Sequence, residues 1–150
     1  SEMCIRDSTC TDNIKSRLDL WNVLAKVPSS SYTDNNTPLY WMDFGNTKTA
    51  GQVVLGTVPK KIKQPVSTMY ETVGSLKVIT RFVKYARVKE VDSGPSCSLA
   101  EALEKQDLFI NSTLAQLGCN ILWKMFRHGM IEHHGLFLNL ETMKVNPIGV

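Results

Sequence analysis

From Asp12 to Val27 the apolar residues Ile14, Leu18, Leu20, Trp21, Val23, Leu24 and Val27 recur at helical spacing, with Lys15, Arg17, Asp19 and Lys26 among the polar positions. The pattern predicts an amphipathic helix. Thr11, Asp12 and Asn13 supply capping oxygens ahead of it, and Pro28-Ser29-Ser30-Ser31 ends it. After a polar run to Pro38, Leu39 to Phe44 is short, mostly apolar and aromatic, and bounded by Pro38 and Gly45, which suits a buried strand. Gln52 to Val58 is a second such run, and Gly45 to Gly51 carries the turn chemistry between them. Residues 59–74, with Pro59, Lys60, Lys61, Lys63 and Pro65, show no sustained period and predict an exposed crossover or loop. Ser75 to Val88 predicts a short basic amphipathic helix, with a strand as the other reading of the same run. The longest element is predicted over about 99–127, through Leu99, Leu103, Leu108, Leu114, Ile121 and Phe126, and is stopped by Arg127, His128 and Gly129. Gly135 to Leu140 and Met143 to Val145, joined by Glu141-Thr142, predict a terminal β-hairpin. Trp21, Trp41 and Trp123 lie in apolar stretches and are expected in the core. Strands alternating with helices predict an α/β domain with a mainly parallel sheet, a long final helix and a C-terminal hairpin.

Composition narrows the function classes. At 150 residues and 43% hydrophobic content the chain suffices for one domain with a real core. A net charge of +3 is mild, so attraction to nucleic acid would need local clustering. Lys60, Lys61, Lys63, Arg81, Lys84 and Arg87 lack interleaved aromatics at a recognisable spacing, and read as solvated surface. No apolar run approaches the roughly 18 residues of a membrane span. Ser1 to Ser8 lack the apolar segment of a secretory signal, which predicts a cytoplasmic protein. Met3-Cys4-Ile5-Arg6-Asp7-Ser8 looks like the translation of a transposon adapter end. Residues 1–8 are therefore read as a non-native segment, and residues 9–150 as the C-terminal part of a domain whose N-terminal half is missing.

Four cysteines, at 4, 10, 97 and 119, form no C-x-x-C pair, which argues against a zinc knuckle or a redox pair. His128, His133 and His134 have no cysteine or carboxylate at ligand spacing. Cys97 draws more interest. Ser98 and Glu101 have the spacing of a capping box, so a helix starting near residue 99 would point free N–H groups and a positive dipole end at the sulfur. Such a field favours thiolate. Pro95 keeps the approach extended. The nearby carboxylates Asp92, Glu101 and Glu104 oppose a thiolate, and a small buried apolar thiol is the other reading.

Cys10-Thr11-Asp12-Asn13 followed by Arg17 resembles the D-x-x-D-N-x-x-x-R segment of the ThiF and MoeB proteins, bacterial relatives of ubiquitin-activating enzymes. Thr37-Pro38-Leu39, Gly51-Gln52-Val53 and Cys97-Ser98-Leu99-Ala100 match further motifs of that family in the same order. More narrowly, Pro95 to Leu103 with Gln106 to Asn111 resembles the ThiF-family proteins of the ParB-related, ThiF-related gene cassette. The resemblance implies the C-terminal half of a Rossmann-like ThiF domain. It implies an ATP-dependent adenylyltransferase acting on the C-terminal carboxylate of a ubiquitin-like or sulfur-carrier protein, with possible thioester formation, and a homodimer. Asp12, Asn13 and Arg17 are then the nucleotide-binding residues, Asp12 also serving magnesium, and Cys97 is the acyl-accepting nucleophile. A helix N-cap for Asp12 and a solvated helix charge for Arg17 are the bland counterparts. The sequence departs from the family in lacking the glycine-rich G-x-G-x-x-G segment, the zinc-carrying C-x-x-C pairs and the glycine-proline pattern after the cysteine. This fragment alone is therefore expected to be inactive, and a non-catalytic ThiF-like dimer partner or scaffold is the alternative.

Overall fold

Only Thr47, Lys48 and Thr49 separate two long strands, β2 (Tyr40–Asn46) and β3 (Ala50–Thr57). A connection that short can only reverse the chain. The two pair antiparallel from Tyr40↔Thr57 to Asn46↔Gly51, closed by the Thr47 amide donating to the Ala50 carbonyl at 2.7 Å. The computed structural model describes residues 7–9, 14–26, 38–58, 64, 66, 69, 71–83 and 106–150. The other elements are β1 (Asp7–Thr9), α1 (Ile14–Leu24), α2 (Ile79–Phe82), α3 (Ile110–His128), β4 (His133–Asn139) and β5 (Lys144–Gly149). One sheet joins the five strands in chain order.

The fold is α/β, but the sheet is not mainly parallel. Among the described residues only β1 pairs parallel, with β2, through Asp7↔Trp41, Ser8↔Met42 and Thr9↔Asp43. The pairs β2–β3, β3–β4 and β4–β5 are antiparallel. Alternation of strands and helices along the chain does not set strand direction. The short turns after β2 and β4 make two antiparallel hairpins, β3 and β4 pair antiparallel across the long connection of residues 58–132, and the β1–α1–β2 crossover stands at the edge. Asp7 and Ser8, which the sequence assigns to an appended segment, supply two of the three β1 residues.

Side chains along β2 and β3 alternate between two cores, as strand geometry requires. Met42, Val53 and Leu55, with Leu136 and Leu138 of β4, pack against Ile110, Leu114, Ile121 and Met125 of α3. Trp41 and Val54 face the other way and pack with Leu24, Val78 and Ile79. There Trp21 stacks on Trp41, ring centroids 5.8 Å apart and planes 14° from parallel.

Three expectations are corrected. The last long element is not one helix through 99–127: Gln106 to Phe109 form a bend and turn, regular helix runs Ile110–His128, and residues 99–105 lie outside the described residues. Asp107 anchors this turn, its amide donating to the Lys48 carbonyl and its carboxylate accepting from the Phe109 amide. The predicted start with Ser98 and Glu101 lies outside the described residues. Ser75 to Val88 is not one amphipathic helix. Its first residues run extended beside β3, where the Thr57 amide donates to the Leu76 carbonyl and the Leu76 amide donates to Thr57 Oγ1; among its described residues, 75–83, Ile79–Phe82 is helical. Trp123 is not a core residue; it is 63% exposed. No helix among the described residues is long and apolar enough to cross a membrane.

Gly56 is where this extended segment crosses the sheet. A Cβ there would stand 2.5 Å from Val78 Cγ1 and 2.6 Å from its Cα. Gly56→Ala should therefore destabilise the chain by about 2–3 kcal/mol, read from denaturant midpoints. Gly74→Ala, where an added Cβ has nothing within 4 Å, is the control and should be close to neutral.

Candidate functional site

Arg17 and Asp43 lie where a sequence of this pattern has no ordinary use for charge. Arg17 shares a stripe of α1 with Ile14, Trp21 and Leu24, the side that packs on the sheet. Asp43 stands among Trp41, Met42 and Phe44 in β2 and is fully buried. Packing α1 onto β2 brings them together: Arg17 Nε donates to Asp43 Oδ1 at 2.9 Å, and Nη2 donates to the Phe44 carbonyl at 2.6 Å. Gly45 leaves the room this requires. A Cβ there would stand 2.9 Å from Arg17 Nη2 and closer still to Gln52 Nε2.

The carboxylate is incompletely satisfied. Among the described residues Asp43 Oδ2 is buried and accepts no hydrogen bond. Burial raises the Asp43 pKa from 3.8 to about 6, against the charge and hydrogen bond of Arg17 and a smaller opposing influence of the Gln52 side chain. Gln52 therefore acts as a neighbouring dipole, not as a hydrogen-bonded donor to Oδ2. It also borders a shallow open depression on the sheet, shared with Thr47, Phe137, Asn139 and Asn146.

The register Thr9↔Asp43 sets the pair beside the carboxyl end of β1. From there the chain continues through residues 10–13 to the start of α1. Of the sequence-predicted site residues, Arg17 is thus placed and engaged inside the protein. Asp12, Asn13 and Cys97 lie outside the described residues. Sequence reasoning passed over Asp43, although a signal was present: a carboxylate inside an apolar strand must find a partner. An arginine on the apolar stripe of the preceding helix was the matching half.

His134 is a second buried titratable group. Its Nδ1 lies 2.7 Å from the Leu55 carbonyl, so Nδ1 carries the proton and donates it. Burial lowers its pKa, the bond to Leu55 opposes this, and the charge of Lys77 lowers it further. Its ring also lies 5.9 Å from that of Phe82. His128 and His133 are exposed. Among the described residues no group of three or more metal-ligating side chains comes together.

Two outcomes follow for the pair. Between pH 3.8 and about 6 the folded chain holds the Asp43 proton and the unfolded chain does not. Stability conferred by that proton is complete below the unfolded value and is lost as pH rises through the folded one. Relative to Asp43→Asn, the wild type should therefore lose up to about 3 kcal/mol from acid to neutral pH, measured by urea denaturation at each pH. Arg17→Met leaves the carboxylate buried without its counter-charge and should cost about 3–5 kcal/mol near neutral pH, less in acid, where Asp43 is neutral. A scan against protein-family models and a search of curated proteins both give no match, so the chemistry of the site rests on these residues.

Proposed function

We propose that the chain is the C-terminal part of a Rossmann-like, ThiF-type domain whose complete form adenylylates the C-terminal carboxylate of a ubiquitin-like or sulfur-carrier protein. What supports this reading is the family-like segment from Cys10 to Arg17: Arg17, its last residue, ties α1 to β2 through Asp43 and the Phe44 carbonyl. Cys10-Thr11-Asp12-Asn13 leads into the start of that helix, and α/β sheets hold phosphate-bearing ligands where a strand leads into a helix.

Arg17 does not fit a direct phosphate contact, because it is buried and its Nε and Nη2 are spent on Asp43 and Phe44. It fits a positioning role, bracing the first turns of α1. In this reading Asp12 and Asn13 face the nucleotide, and a carboxylate at Asp12 suits magnesium. A carrier carboxylate oxygen attacks the α-phosphorus of ATP, the bond to pyrophosphate breaks, and an acyl adenylate forms. Cys97, as thiolate, then attacks the acyl carbon; AMP leaves and a thioester remains. The G-x-G-x-x-G phosphate loop is not in this sequence, so the activity belongs to the domain completed by its upstream half. A second reading, a non-catalytic dimer partner or scaffold of the same fold, is favoured by Arg17 being consumed internally.

ATP–pyrophosphate exchange by the product of the complete reading frame, with its carrier, separates the two readings. Adenylylation predicts carrier-dependent exchange that falls by at least roughly 100-fold in Asp12→Ala. Cys97→Ser should exchange normally while losing the carrier thioester on non-reducing gels. Absence of exchange from the wild type removes the catalytic reading and leaves the scaffold.

A further inference from the structure

Helix α3 carries a second stripe on the side away from the sheet. Ile110, Leu114, Gly118, Ile121 and Met125 face the core. Opposite them stand Phe109, Ser112, Gln116, Cys119, Trp123 and Phe126, separated alternately by three and four residues, the spacing of a coiled-coil seam. Phe109 and Trp123 are each 63% exposed and Phe126 is 51% exposed. Cys119 is exposed and free. Aromatic side chains clustered in this way on a surface mark an interaction site.

The seam is graded along its length. Its N-terminal half offers the small or polar Ser112 and Gln116, and its C-terminal half offers Trp123 and Phe126. We propose that the seam is an interface between two copies of this chain, with the α3 helices packed antiparallel about a two-fold axis that passes between Gln116 and Cys119. That axis sets Phe109 against Phe126 of the second copy, Trp123 over the small Ser112, and Gln116 against Cys119. Self-matching of one surface is what a two-fold interface demands.

Charge selects the same arrangement. α3 contains no acidic residue, and Arg127 and His128 form its basic last turn. A parallel pair would set Lys124, Arg127 and His128 against their own copies. The antiparallel pair brings the basic turn beside Asp107 of the second copy and opposes the helix dipoles favourably. The area suffices as well. Phe109, Trp123 and Phe126 each expose on the order of 100 Å², so two copies with the flanking Leu108, itself 63% exposed, approach the roughly 1,000 Å² of a specific interface.

This interface does not depend on the adenylylation reading. Light scattering of the purified chain should report a dimer. Trp123→Glu should weaken association by at least roughly 100-fold while leaving the circular dichroism of the chain unchanged. Register is tested with Cys4, Cys10 and Cys97 replaced by serine. There Gln116→Cys should form an intermolecular disulfide with the native Cys119, and Ala115→Cys, which lies off the seam, should not. A wild-type monomer at roughly 100 μM, a Trp123→Glu variant that stays dimeric, or one that unfolds because Trp123 packs within its own chain, would each overturn the proposal.

Discussion

A guanidinium and a carboxylate, both removed from water at the junction of α1 with β2, constrain this end of the molecule. Stripping two such ions of solvent costs several kcal/mol each, and attraction recovers that only when geometry and hydrogen bonding are good. Here the recovery is partial. Arg17 satisfies Oδ1 and the Phe44 carbonyl, while Oδ2 has no hydrogen bond among the described residues. The upward shift of the Asp43 pKa to about 6 expresses the same imbalance. Such a pair adds little net stability, but it admits only one seating of α1 on the sheet. An α1 slipped by one residue would bury two charges without partners.

Arg17 seats α1 against the carboxyl half of β2. Among the described residues β1 and β2 are the one parallel pair, with Asp43 across from Thr9, the last residue of β1. The strands β3, β4 and β5 pair antiparallel; a short turn joins β4 to β5, while residues 58–132 separate β3 from β4. Two close approaches pack the sheet: the Leu76–Val78 segment lies directly over Gly56, and α3 brings Gly118 against the Phe44 ring.

Burial also shifts Asp43 and His134 with opposite consequences. Asp43 is held toward its protonated form and His134 toward its neutral form. Each is kept in a strand by a hydrogen bond to a neighbouring element, Asp43 from α1 and His134 to β3. In both, burial decides the direction and local polar contacts only moderate it.

Local patterns in the sequence determined which segments are helix and which are strand. The α1 periodicity, the aromatic β2 run, the G-Q-V strand and the terminal hairpin all fall close to their predicted positions, because each buries one face and its period shows in the residues. Strand direction was not legible, since it depends on turn length and on which strands meet. In the Ser75–Val88 run the sequence leaves helix and strand both open, because Leu76 and Val78 satisfy either spacing, and the hydrogen bonds to Thr57 decide for extended chain at Leu76. Trp123 looked like core by composition, yet its position on α3 turns it away from the sheet. The candidate site was half visible. The turn motif and Arg17 stood out in sequence, but Asp43 lies 26 residues further on. A buried charge acquires meaning only from the partner that tertiary packing brings to it.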